Sequence, residues 1–376
     1  MSRTTRLVEA MAATRRTCAR VSAARGASSI GGRGAVEPGR DAMRVVVTGA
    51  AGFVGYHVAK ALQARGDEVL GMDAFSAYYP VQLKRDRANM LRRVGVEVVE
   101  GDVNDAKEMR AMLKGATHLL HLAAQPGVRY ASRDAKSYAD ANLGGFVNVA
   151  EAARMEETLF VYASSSSVYG DDATPPFRED EVACQPLSLY AATKRANELI
   201  ANAYSHTYGM HCTGLRFFTV YGPWGRPDMA VSSFTKKILK GETIRVFQGP
   251  QGSELGRDFT YIDDIVQGCL GALDTAASAP YRIYNLGNTR PVTVTELVET
   301  LAKHLDRPAI TQSVPMPQAG DVLYTHADVS AACRDLGYAP QVSLEEGLRR
   351  TVSWYLDRHG ADGSKVSSQE WNYEPF

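Results

Sequence analysis

The chain has 376 residues, enough for one large domain or two of medium size, and its apolar content is ordinary for a soluble globular protein. Lys plus Arg and Asp plus Glu both number 42, so no net field draws the molecule to nucleic acid or to an anionic membrane. The cysteines at 18, 184, 212, 269 and 333 include no CxxC pair and the histidines no HxxxH or HxH spacing; neither a disulfide framework nor a metal site is expected, and a reducing, cytoplasmic setting is.

Residues 1–42 are rich in Arg, Ala, Ser and Gly and hold no apolar run long enough for a signal or a membrane span. Three readings fit: an organellar transit peptide, a disordered basic tail, or a non-native extension preceding a true start at Met43. The last is preferred, because Met43-Arg44-Val45-Val46-Val47 leads straight into the first strand.

From Arg44 onward apolar strands alternate with helical segments, the signature of a doubly wound parallel α/β sheet of the Rossmann kind. Strands are predicted at 44–48, 68–72, 96–100, 118–122, 159–163 and 211–217. Helices are predicted at 55–65, 83–91, 107–113, about 135–154 and 188–208. Beyond Phe217 the pattern loosens. A loop is expected at 222–227, a helix at 229–240, a short strand at 244–247, an extended stretch at 257–262 and a helix at 265–275. Short strands and two more helices should fill 281–360, followed by a polar tail. The expected organisation is a doubly wound domain over 43–215, a smaller mixed domain over 216–358, and a tail at 359–376.

Gly49-Ala50-Ala51-Gly52-Phe53-Val54-Gly55 lies between the first strand and the first helix. In that context Gly49 permits the tight turn, Gly52 lets a pyrophosphate approach the helix N-terminus, and Gly55 permits close helix–strand packing. The spacing is GxxGxxG, and a mere tight turn is the competing explanation. Asp73 closes the second strand, where a carboxylate can bond both ribose hydroxyls of an adenosine and repel a 2′-phosphate; this favours NAD over NADP. Asp102 ends the third strand in the same way and suits an adenine amine. Helix capping is the alternative for both carboxylates.

Tyr190 and Lys194 stand four residues apart on a predicted helix, and Ser164–Ser167 lies at a strand end upstream. A secondary alcohol loses its proton at neutral pH only to a base, and a tyrosine becomes one when its phenolate is stabilised. Lys194, one helical turn on, supplies a charge that would lower the Tyr190 pKa and a donor for a nicotinamide ribose. Ser165 can bond the substrate oxygen and pass on its proton. YxxxK alone is common and uninformative; placed after a dinucleotide turn and a serine run it points to reversible alcohol oxidation.

These residues resemble the extended short-chain dehydrogenase/reductase family, the NAD-dependent epimerases and dehydratases of nucleotide sugars, and within it most of all the enzymes that invert C4 of UDP-glucuronate. The resemblance spans about residues 43–358. It is carried by Val47–Gly55, by His121-Leu122-Ala123-Ala124-Gln125-Pro126-Gly127-Val128-Arg129, by Ala163–Gly170, by Leu215–Ala230 with its Gly222-Pro223-Trp224-Gly225-Arg226-Pro227-Asp228 core, and by Arg257–Asp264. It implies Ser165, Tyr190 and Lys194 as the catalytic set. It implies cofactor contacts from Gly49, Gly52, Phe53, Val54, Gly55, Asp73, Asp102, Val103, Leu122, Ala123, Ala124 and Phe217, besides Tyr190 and Lys194. Substrate contacts are implied for Gln125, Ser165, Ser166, Ser167, Val246 and for four groups with specific partners: Phe247 on the uracil, Arg257 on the phosphates, Asp321 near the uridine, and Thr219 with a bidentate Arg226 on a sugar carboxylate. For Arg226 a solvated loop arginine is the competing explanation. Related dehydratases carry an Asp-Glu pair where this chain has Ser166-Ser167, which argues against elimination of water. The implied activity is C4 epimerisation of a UDP-sugar, UDP-glucuronate to UDP-galacturonate, in a cytoplasmic homodimer. UDP-glucose 4-epimerisation, UDP-glucuronate decarboxylation, a simple NAD-dependent alcohol dehydrogenase and a non-catalytic nucleotide-sugar sensor are the alternatives.

Overall fold

Seven strands pair in parallel into one sheet. β1 (Arg44–Thr48), β2 (Glu68–Asp73), β3 (Glu97–Glu100), β4 (His118–His121), β5 (Leu159–Ser165) and β6 (Cys212–Phe217) are joined by β10 (Tyr281–Leu286) in the spatial order β10-β6-β5-β4-β1-β2-β3. The structure, a computed structural model, describes residues 42–171, 173–183, 185–316 and 322–360. The N-terminal extension to residue 41, Asp321 and the polar tail therefore lie outside the described residues.

Helices cover both faces of the sheet, so its strands read as unbroken apolar runs. Successive side chains point to opposite faces. Val45 and Val47 join Leu120 and Val161 in one buried cluster, while Val46 joins Leu119, Phe160 and Tyr162 in another. Chain order reverses between β1 and β4, and a crevice opens there at the carboxyl ends of the strands, the place where α/β sheets receive ligands.

The remaining strands are β7 (Thr219–Tyr221), β8 (Ile244–Gln248), β9 (Gly256–Tyr261), β11 (Pro291–Thr293) and β12 (Thr311–Pro315). They form a mixed sheet, β11-β9-β7, and a parallel pair, β12-β8. Both flank the crevice and carry Thr219, Phe247 and Arg257 toward it.

Several features depart from the sequence reading. The helix expected across 135–154 is broken: a π-helical stretch, Ala139–Gly144, separates Ala135–Tyr138 from Gly145–Met155. Three helices rather than two follow residue 290, the extra one being Ser330–Leu336. β10 crosses back to extend the first sheet beside β6. Cys333 is disulfide-bonded, whereas Cys212 and Cys269 are buried free thiols. Among the described residues no helix is long and apolar enough to cross a membrane.

Candidate active site

One cavity of about 820 Å³ runs from the glycine-rich turn to β8 and β9. It is lined by every cofactor and substrate residue named above except Val246 and Asp321. Val246 packs against the core, because strand alternation turns it away from its neighbours Arg245 and Phe247, which do line the cavity. Asp321 lies outside the described residues.

At the nucleotide end, Gly49 adopts φ +71°, and a Cβ there would come within 2.8 Å of the Ala123 nitrogen. A Cβ on Gly55 would collide with the Gly49 carbonyl. The helix Phe53–Ala64 starts without a side-chain cap at Gly52, so its leading N–H groups remain for an anion. Asp73 is fixed in place: its carboxylate accepts from the backbone N–H of Ala51 at 3.1 Å and of Phe75 at 2.9 Å. Asp102 lines the cavity while one of its oxygens closes a turn, accepting from both nitrogens of Asn104. A Cβ-free cradle, an uncapped helix end and an anchored carboxylate fit a dinucleotide.

At the reacting end, the helix Leu189–Tyr208 is capped by Ser188, whose hydroxyl accepts from the Ala191 N–H. Its first turn places half-buried Tyr190 in the cavity beside Tyr138, in an edge-to-face contact with ring centroids 6.3 Å apart. Burial pushes the phenol pKa up; the Arg226 charge and hydrogen bonding with Ser165 pull it back down. The sequence reading gave the lowering charge to Lys194. In the structure the Arg226 charge lowers the Tyr190 pKa, and Lys194 Nζ donates to the Ala163 carbonyl at 2.9 Å. Burial brings Lys194 itself down to about 8. Ser165 is buried, and Ser167 holds its hydroxyl through both its N–H and its Oγ at 3.2 Å.

At the far end, Arg257 Nη1 donates to the Gly256 and Leu323 carbonyls. The Phe247 ring faces two guanidinium groups, Arg129 at 4.8 Å and Arg245 at 5.9 Å. Arg226 is already engaged: its Nε donates to Asp228 Oδ1 at 3.0 Å and its Nη2 to Asp228 Oδ2. The Nε–Nη2 edge is therefore taken by Asp228, and Nη1 stays outside the pair, so a sugar carboxylate would meet the guanidinium from its Nη1 end.

The model of the NAD dependent epimerase/dehydratase family matches residues 45–287. The chain belongs to this family. It is 53% identical over 341 residues to UDP-glucuronate 4-epimerase 5 of Arabidopsis thaliana, covering 87% of this chain and 78% of that one. It is 39% identical to protein CapI of Staphylococcus aureus, covering 84% of this chain and 99% of the other. Among solved structures, the UDP-glucuronic acid 4-epimerase of Bacillus cereus, in complex with UDP-glucuronic acid and NAD, superimposes with a TM-score of 0.77 at 31% identity, covering 83% of this chain and 98% of that one.

Three groups escaped the sequence reading of this epimerase/dehydratase family member. Lys84 is buried beside the nucleotide end, 3.7 Å from Asp73 and donating to Ser76 Oγ at 2.9 Å. Arg87, fully buried, donates to the Ala51 carbonyl of the glycine turn, to the Tyr79 hydroxyl, and to the carbonyls of Trp224 and Gly225 just before Arg226. It straps the two ends of the site together. Glu198 accepts from Ser164 at 2.6 Å and from Arg216 at 2.8 and 2.9 Å, pinning the serine run to the Tyr190 helix. Helical spacing does place Glu198 on the Tyr190–Lys194 face; Lys84 and Arg87 carry no such signal.

Proposed function

We propose that the protein inverts C4 of UDP-glucuronate to give UDP-galacturonate, with NAD as resident cofactor. The observation that carries this reading is the convergence of Ser165, Tyr190, Lys194 and Arg226 in one cavity with the glycine-rich cradle. The names of the relatives support the choice of substrate.

Bound NAD supplies a hydride acceptor and donor for C4. Tyr190 removes the C4 hydroxyl proton through or beside Ser165 and later returns it. The Arg226 charge and the Ser165 bond favour the phenolate against the cost of burial. Arg257 clamps the phosphates while the sugar turns about the bonds that join it to them and presents its other face. Ser166, Ser167 and Thr219 offer hydroxyls to the C6 carboxylate, and keeping that group solvated by donors opposes loss of carbon dioxide from the β-keto acid. We assign residues 43–215 mainly to cofactor and catalysis and 216–358 mainly to substrate.

A homodimer and a cytoplasmic setting complete the proposal. Val147 and Met155 on the helix Gly145–Met155, and Leu189, Leu199 and Tyr208 on the helix Leu189–Tyr208, expose 39–56% of their surface, and these two helices supply the pairing face. Incubation with UDP-glucuronate, followed by NMR, tests the reaction. UDP-galacturonate without net NADH is expected. UDP-pentose would indicate decarboxylation, NADH accumulation a dehydrogenase, and turnover of UDP-glucose alone the hexose epimerase; each outcome refutes the proposal.

A further inference from the structure

The guanidinium whose charge reaches Tyr190 is not a bare cation. Asp228 takes its Nε and Nη2, and the Tyr78 hydroxyl donates to Asp228 Oδ2 at 3.1 Å. The two side chains of the ion pair are only 19% and 7% exposed, so solvent screens them little. Tyr78 is itself held. Its ring lies 5.6 Å from the Arg226 guanidinium and packs edge-on against Tyr130 at 5.0 Å, and Gly127 sits so close to its hydroxyl that a Cβ would collide. The Asp228 carboxylate is thus fixed by two independent donors from different segments of the chain.

This has one geometric and one electrostatic result. The side edge of Arg226 is occupied, so a ligand meets the Nη1 side only. The pair is also formally neutral, so an anionic ligand meets directed donors without a net positive charge. The proposed reaction needs that combination. A uronate must be told from a hexose, yet its carboxylate has to let go each time the ring turns over. An unpaired buried arginine would grip a carboxylate with a bidentate, charge-assisted fork. A grip that strong on one orientation deepens the ground state and slows turnover.

Resting on the UDP-glucuronate reading, we propose that Asp228 is a specificity-determining positioning residue: it aims Arg226 and balances its charge, so that the uronate carboxylate is recognised without being trapped. The test uses full-length, NAD-loaded wild-type, Asp228→Asn and Asp228→Glu proteins. Dissociation constants for UDP-glucuronate and UDP-glucose are measured by calorimetry, and UDP-glucuronate interconversion by NMR. Asp228→Asn should tighten UDP-glucuronate about tenfold relative to UDP-glucose and slow its interconversion by a similar factor, the scale of one charge-assisted bond. Asp228→Glu, which keeps the pair neutral, should retain the wild-type ratio.

Weaker UDP-glucuronate binding by Asp228→Asn, an equal shift for both nucleotides, or tightening without slowing would each overturn the proposal. Should Asp228→Asn not fold, Tyr78→Phe replaces it. Without the phenolic donor the carboxylate balances Arg226 more fully, and UDP-glucuronate should bind about twofold weaker relative to UDP-glucose; an unchanged ratio overturns the proposal. A wild-type protein that does not interconvert UDP-glucuronate sinks the functional reading instead, and the binding ratios still judge the role of Asp228.

Discussion

Replacing Lys194 by methionine should abolish turnover and, at neutral pH, make the NAD-free protein more stable. Lys194 is 4% exposed, and burial lowers its pKa from 10.5 to about 8. A cation whose folded pKa is lowered binds fewer protons than the unfolded chain between those two values. Stability therefore rises with pH from about 8 to 10.5, and below 8 the folded state bears the full cost of the buried charge. That cost is about 3 kcal/mol. Methionine of similar length removes it but also removes the bond to the Ala163 carbonyl, whose loss costs about 1 kcal/mol. The net expectation is a gain of about 2 kcal/mol at pH 7 that has disappeared by pH 10. Urea unfolding of the NAD-free wild type and variant at pH 7 and pH 10 reads the difference directly, because other titrations cancel between the two proteins. A methionine variant that is less stable at pH 7, or a gap that does not change with pH, refutes the reasoning.

Tyr190→Phe should lower UDP-sugar turnover by about 10²–10⁴-fold while NAD and UDP-sugar still bind, since it removes only the proton acceptor; single-turnover absorbance and calorimetry separate the two effects. Arg87→Met should cost about 3 kcal/mol in urea unfolding, because it strips the Ala51, Trp224 and Gly225 carbonyls of a buried donor. It should also speed NAD release, which fluorescence of the released dinucleotide would follow.

Much of this fold could be read from the chain. β1 and β5 are buried apolar runs, and the glycines of 49–55 occupy a turn where a Cβ has no room. Tyr190, Lys194 and Ser165 line one cavity, since a helical turn sets the spacing of the first pair and a strand end places the serine. What escaped depends on tertiary context. β7 has only three residues, too few to show a period, and the helix Ser330–Leu336 lacks a side-chain cap to announce it. The π-helical stretch at 139–144 leaves the composition of its helix unremarkable. Lys84 and Arg87 look like the solvated face of a charged helix; only the folded structure buries them against Asp73 and the glycine turn. The substrate contact that the resemblance implies for Val246 is not met by its side chain, because strand alternation turns it to the core and away from Phe247.

β10 has a bearing on how this molecule comes into being. Its six residues pair in register with β6, Tyr281 beside Cys212 through Leu286 beside Phe217, so the outermost seam of the nucleotide-holding layer is sewn by a thread that leaves the ribosome long after the rest of that layer. Until it arrives, β6 stands as a bare margin inviting unwanted pairing. A fragment ending near residue 215 would keep that margin for good, and clumping rather than a tidy mini-protein is the fate to anticipate for it.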